Sequence, residues 1–248
     1  MSKGIVMNNK FDFKRFGQVV AQDWKLYFRR FGITLLVWAC LPIILWITSL
    51  VFEKEIDPLA RAGFIFAFIV ATVMTVPAHV YGKANLSRDG VSFAMLPATS
   101  SEKFLSMVLY CSIVTPIFCG LGAWLVDTLM TLLPFGGFNK YVFPFDMDYL
   151  GHNLLFVAML FFLESSLFML GNMIFKKRKT GKTFAWILLI IFVITLIVQI
   201  PFLMDGLDYI TEHIKDGKTA YWCGIAFLLV LTTCFNLLTY RRIKNQKY

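Results

Sequence analysis

Residues 82–103, GKANLSRDGVSFAMLPATSSEK, form a polar, turn-rich stretch between two long apolar runs. The flanking runs cover about residues 62–81 and 104–133. At 1.5 Å rise per residue, some twenty apolar residues in a helix reach roughly 30 Å, the depth of a bilayer's hydrocarbon core. The stretch therefore reads as a loop between two membrane spans. Asp89-Gly90 is a turn signal within it. Thr99-Ser100-Ser101-Glu102 fits a helix cap, with Thr99 at the N-cap and Glu102 three positions on. The loop is thus expected to end in a rigid, capped entry to the next span.

The rest of the chain fits this plan. Of its 248 residues, 58% are hydrophobic and 16% charged, against about 45–50% and about 25% in an average soluble domain. That excess of apolar side chains places the chain among integral membrane proteins. Further apolar runs cover about 32–52, 154–175, 183–204 and 220–239, making six spans in an all-α protein. Pro42 lies inside the first. The third is long enough to tilt, or to break near Pro116, Gly120 and Gly122. Before the first, residues 11–31 read as an amphipathic helix. Phe13, Phe16, Val20, Trp24, Tyr27 and Phe31 recur at steps of three and four, with a basic remainder, as suits a helix lying in the headgroup region. The expected division is an N-terminal cytoplasmic and interfacial segment (1–31), one six-helix transmembrane domain (32–239) and a tail (240–248). Gly63, Ala67, Ala71 and Thr75 form a small-residue stripe on the second run, expected to serve packing inside the chain, with a dimer seam as the lesser use. No cleavable signal peptide is expected, because the first apolar run follows about thirty charged and aromatic residues.

Charge placement sets the orientation. With the N-terminus inside, 19 of the 24 Lys and Arg fall on the inner side and five on the outer. Basic residues accumulate on the cytoplasmic side of membrane proteins. Both termini, the 82–103 loop and the 176–182 loop are therefore expected in the cytoplasm, with the chain multi-pass. The net charge of +9 sits in short loops and forms no continuous basic face, which argues against nucleic acid. The five cysteines lie in or beside apolar runs without metal spacing and read as small hydrophobes.

Few residues carry chemistry. Glu164 falls near the middle of the fourth run, where an acidic side chain costs about 2.5–3.5 kcal/mol to insert. It must face protein or water. Ser165, Gly171 and Asn172 share its side of the helix. The candidate pathway residues are thus Glu164, Ser165, Asn172 and, late in the third run, Asp127. A hydrogen-bonded, purely structural Glu164 fits equally, and Asp127 could reach water at the outer boundary. Gln199 and Asn236 read as interhelical hydrogen-bond residues. Residues 179–183, KTGKT, mimic the end of a P-loop, but Lys176 stands where its first glycine belongs and a span follows. No motif for hydrolysis or metal binding is present, so the chain is expected to be no enzyme and to hold no cofactor of its own.

Residues 93–104, FAMLPATSSEKF, in a cytoplasmic loop between spans two and three, resemble the corresponding stretch of ABC-2-type ABC transporter permeases, especially small six-span subunits from Bacteroidetes-like bacteria. The resemblance extends to the plan: an N-terminal interfacial helix, six spans and both ends inside. It implies that the loop forms a coupling helix docking on a cytosolic ATPase subunit. It implies contacts at Arg88, Asp89, Ser100, Glu102 and Lys103, with ATP and Mg bound by that partner. It also implies pairing with a second permease copy, as homodimer or heterodimer, in membrane lipid. The chain departs from the family at 205–219, which is short and acidic where many members carry an apolar re-entrant segment. The aromatic loop 134–151 is then left as the alternative lid. The expected function is the permease subunit of a bacterial exporter. The rivals are a non-transporting assembly or sensor subunit that anchors a soluble partner, and a proton-coupled carrier working through Glu164.

Overall fold

The computed structural model describes residues 11–84, 93, 97–133, 138, 141–142, 150–198 and 217–245. Apart from short turns, the described residues are helical. Helix α1 is Phe13–Ala39, α2 Leu41–Phe52, α3 Pro58–Val80 and α4 Ser100–Val108. A π-helical turn, Leu109–Val114, joins α4 to α5 (Thr115–Thr131), followed by α6 (Leu150–Ile174), α7 (Lys179–Val198) and α8 (Gly217–Lys244). Five stretches are long and apolar enough to cross a membrane: Phe13–Phe52, Pro58–Val80, Ser100–Thr131, Leu155–Ile174 and Tyr221–Lys244. Such a set describes a multi-pass membrane protein. The remaining expected span falls on α7, whose continuation into 199–204, including Gln199, lies outside the described residues.

The first span begins differently from expectation. No boundary separates an interfacial helix from a first span near residue 31; α1 runs unbroken from Phe13 to Ala39. The break comes at Cys40, ahead of Pro42 in the first turn of α2. Proline has no N–H to donate and its ring crowds the carbonyl four residues back, so a long helix bends there. The first half of α1 also packs on protein. Val19, Asp23, Tyr27 and Phe31 are buried, while Phe13 and Trp24 from the expected aromatic face are exposed. The buried stripe contains an acid.

The π turn lies just before Pro116. Thr115 donates its backbone N–H to the carbonyl of Tyr110, five residues back, and its hydroxyl donates to the same carbonyl at 2.7 Å. Because Pro116 cannot continue the four-residue ladder, the turn widens. This sets the Ser112 and Ser165 hydroxyls 2.6 Å apart, joining the third span to α6.

Helix ends sort into two groups. Tyr27 and Phe31 of α1, Val76 and Val80 at the end of α3, Met107, Tyr110 and Cys111, Met169 and Met173 near the end of α6, and Ile243 of α8 form one buried cluster. At the far end of the same helices, Arg61 of α3 meets Asp127 of α5. The small-residue stripe on α3 does not serve internal packing at its start: Gly63 and Ala67 are exposed, and a Cβ on Gly63 would meet nothing within 4 Å. The close approach lies elsewhere, at Gly171. A Cβ there would stand 2.8 Å from Cβ of Thr183 and 2.6 Å from its Cγ2. Thr is β-branched and stiff in a helix, so it cannot swing aside.

Gly171→Ala is therefore expected to push α6 and α7 apart and lower the melting midpoint in detergent by several degrees. Thr183→Gly in the same chain should restore part of the loss. An unchanged midpoint for Gly171→Ala would refute this contact.

Candidate functional site

The capping box expected from sequence is formed, and it does more than cap. The Thr99 hydroxyl accepts from the Glu102 N–H at 3.4 Å, and Glu102 Oε2 accepts from the Thr99 N–H at 2.9 Å. Glu102 is fully buried. Its Oε1 also accepts the backbone N–H of Asp12 at 2.9 Å, and Asp12 is the N-cap of α1. Arg15 donates from Nε to Oε1 at 3.1 Å and to Oε2 at 2.9 Å, and from Nη2 to Oε1 at 2.7 Å. One carboxylate thus sits at the N-termini of two helices, where the unpaired N–H groups and the helix dipoles favour negative charge. The guanidinium fork supplies the counter-charge.

Lys103 is buried as well. Its Nζ donates to the carbonyl of Phe93 at 2.7 Å and lies 5.3 Å from the centre of that ring. Lys103 holds the one described residue of the middle of the 82–103 stretch against α4. Ser100 opens α4 and is half-buried. Arg88 and Asp89 lie outside the described residues.

A second carboxylate lies deeper along the same face of α1. Asp23 Oδ2 accepts from the Tyr81 hydroxyl at 3.0 Å and the Ser106 hydroxyl at 2.6 Å. Burial, and then the neighbouring Asp23, push the Tyr81 phenol well above its ordinary value. It remains a donor at any physiological pH. Tyr110 donates to the carbonyl of Val20 at 2.7 Å, and the Tyr27 and Thr115 hydroxyls lie 3.1 Å apart. The face of α1 from Asp12 to Tyr27 is therefore bound by polar contacts to the start of the third span and to the turn after α3.

The pathway candidates are dispersed. Asn172 is buried and donates to the carbonyl of Tyr81 at 3.3 Å. Ser165 is taken up by Ser112. Glu164 stands apart: its Oε1 is buried and has no hydrogen-bond partner among the described residues. Asp127 does not reach water. It is buried against Arg61, Nη1 to Oδ1 at 3.3 Å, with each side chain 1% exposed, and the guanidinium carbon lies 4.0 Å from the ring centre of Phe138. Asn236 also has a buried Oδ1 without a partner among the described residues, rather than the expected interhelical bond. Among the described residues no group of His, Cys, Asp and Glu could hold a metal ion.

Sequence reasoning passed over Arg15, Asp23 and Arg61. Asp23 carried a signal: Phe16, Val20, Tyr27 and Phe31 place it within the apolar stripe of α1. Comparison with family models, curated proteins and solved structures returns no match to this chain.

One double-mutant cycle and one comparison of variants test the anchors. Arg15→Ala and Glu102→Gln should each destabilise the detergent-purified protein, with the double variant little worse than Glu102→Gln alone. The expected coupling is on the order of 1–3 kcal/mol, and strict additivity would show that the pair does not interact. Asp127→Asn, which leaves the Arg61 charge buried without its counter-charge, should cost on the order of 3–5 kcal/mol. Arg61→Met combined with Asp127→Leu should cost less than Asp127→Asn alone.

Proposed function

We propose that this chain is the membrane-spanning permease subunit of a bacterial ABC exporter, driven by a separate cytosolic ATPase that grips the 82–103 stretch. The observation that carries the reading is the Glu102 junction. It joins the end of that stretch to the first helix and to the entry of the third span. A force applied at Glu102 reaches two helices at once. The helix ends gathered around Tyr27, Val80, Tyr110, Met173 and Ile243 are the ends that the charge count assigns to the cytoplasm, in keeping with that arrangement. The ATP and Mg belong to the partner, and the permease works as a pair, with a second copy or a similar chain. Within this reading Arg88, Asp89 and Ser100 make the outward contact, while Glu102 and Lys103 hold the loop in shape from beneath. Glu164 and Ser165 face the moving pathway, and Asp127 clamps its outer end through Arg61.

A second reading is favoured by the dispersal of the pathway candidates, with Asp127 sealed in an ion pair and Ser165 and Asn172 tied within the bundle. A non-transporting assembly or sensor subunit would use the same anchored loop to hold a soluble partner.

The test is co-purification from detergent of the tagged chain with an ABC-type ATPase encoded beside it. The wild type should retain the ATPase. Arg88→Ala/Asp89→Ala should lose most of it while keeping the wild-type melting midpoint. Failure of the wild type to retain any ATPase defeats the exporter reading. Retention without ATP-dependent flux into inverted vesicles selects the non-transporting one.

A further inference from the structure

A cavity of about 530 Å³ opens at the end of the bundle that carries the Tyr27–Val80–Met173 cluster. Its wall contains Arg30 from α1, His79 near the end of α3, Lys83 from the turn that follows, Lys176 and Arg178 between α6 and α7, and Lys179 at the start of α7. Five permanently or readily charged cations thus line one small space, with no acid among the described residues that line it. The two ion pairs among the described residues, Arg15–Glu102 and Arg61–Asp127, use none of the five.

The site is built rather than incidental. Arg30 Nη1 donates to the carbonyl of Val80 at 2.6 Å, and Lys179 Nζ donates to the carbonyl of Gly82. These bonds fix two walls against the same turn. Gly82 itself admits no side chain, because a Cβ would fall on the carbonyl oxygen of Ala78, 1.9 Å away. Arg178 adopts a left-handed backbone conformation at φ 50°. That conformation is costly for a residue with a Cβ and persists only where the surroundings hold it.

Like charges gathered this closely repel, and they stand at the wrong end of a helix. Lys176, Lys177, Arg178 and Lys179 precede or open α7, whose N-terminus carries positive dipole charge and favours anions. Burial alone holds the Lys179 amine down to about 8, so its charge is also poorly solvated. Everything at this point of the fold is arranged for an anion. Along α7 the exposed apolar side chains begin immediately, with Phe184, Trp186 and Leu188. An anion in the cavity therefore lies at the headgroup level of the adjoining leaflet.

We propose that this cavity binds a phosphate group, held by Lys83, Lys176 and Arg178 between the walls fixed by Arg30 and Lys179. Basic pockets between spans are a recognised way of holding anionic headgroups. The same chemistry suits a lipid phosphate and a soluble one. The inference does not depend on an ATPase partner, since no residue of the coupling loop beyond Lys83 takes part.

The experiment compares thermal stability and native mass spectra of the detergent-purified full chain across four conditions. These are mixed micelles with phosphatidylglycerol or cardiolipin, micelles with phosphatidylcholine, and inorganic phosphate against chloride at equal ionic strength. The wild type should gain several degrees with the anionic lipids and retain one such lipid in the mass spectrum, without gain from phosphatidylcholine. Lys83→Gln/Arg178→Gln leaves the Arg30 and Lys179 bonds in place. It should bind the anionic lipid on the order of 20-fold more weakly, about fivefold for each cation removed. Lys176→Gln, expected near fivefold, serves if the double variant does not fold. A gain with lipid but not inorganic phosphate identifies the headgroup as the ligand, and a gain with both shows that phosphate alone suffices. No anion-specific gain in the wild type, or an undiminished gain in the folded variants, overturns the proposal.

Discussion

The arrangement of this molecule at one end depends on a buried carboxylate. Glu102 would be costly to bury alone, since an ionised carboxylate loses its hydration and recovers it only through partners. Here the partners are the Arg15 guanidinium and the backbone N–H groups of Asp12 and Thr99. The two N–H groups belong to the caps of α1 and α4, so neither helix can begin elsewhere without leaving the charge unmet. The local rule for starting a helix and the tertiary rule for burying a charge are satisfied by the same four atoms. Asp23 extends the principle inward, with Tyr81 and Ser106 as its donors. Packing of apolar side chains discriminates little between neighbours in a bilayer, because lipid is as apolar as protein. Polar contacts of this kind decide which helices meet.

The opposite end holds the other ion pair among the described residues. Arg61 and Asp127 are both buried, and Phe138 covers the guanidinium. Between the two ends lies the Ser112–Ser165 hydroxyl bond at the π turn. A π turn is a site where a helix can change register at low cost. The third span thus carries a firm charge anchor at its entry, another ion pair near its exit, and its one irregular turn between them.

How much of this could be read from the chain follows the range of each interaction. The Thr99–Glu102 cap spans three residues, and both its bonds form as expected. Five of the six expected apolar runs fall on helices long and apolar enough to span a membrane, because each run is a local count. Arg15 was invisible as the partner of Glu102, since 87 residues separate them and six other cations precede the first run. Periodicity placed an aromatic face on α1, but residues such as Phe13 and Trp24 proved exposed while Asp23 was buried. An all-round aromatic helix has several plausible faces, and the acid was the better marker. Asp127 was read as a pathway residue, or as one reaching water, because nothing local revealed Arg61, 66 residues away.

Burial of Glu102 and Lys103 changes what the 82–103 stretch can be. As a set of charged contacts on a loop, it would meet a soluble partner through side chains that are free to turn. With Glu102 spent on two helix N-termini and Lys103 spent on Phe93, the charges nearest the membrane are already committed. Neither side chain is left to make an outward contact. The base of the stretch is tied to α1 and to the third span together. Glu102 and Lys103 are thus the buried base of the stretch, joining it to the helices beneath.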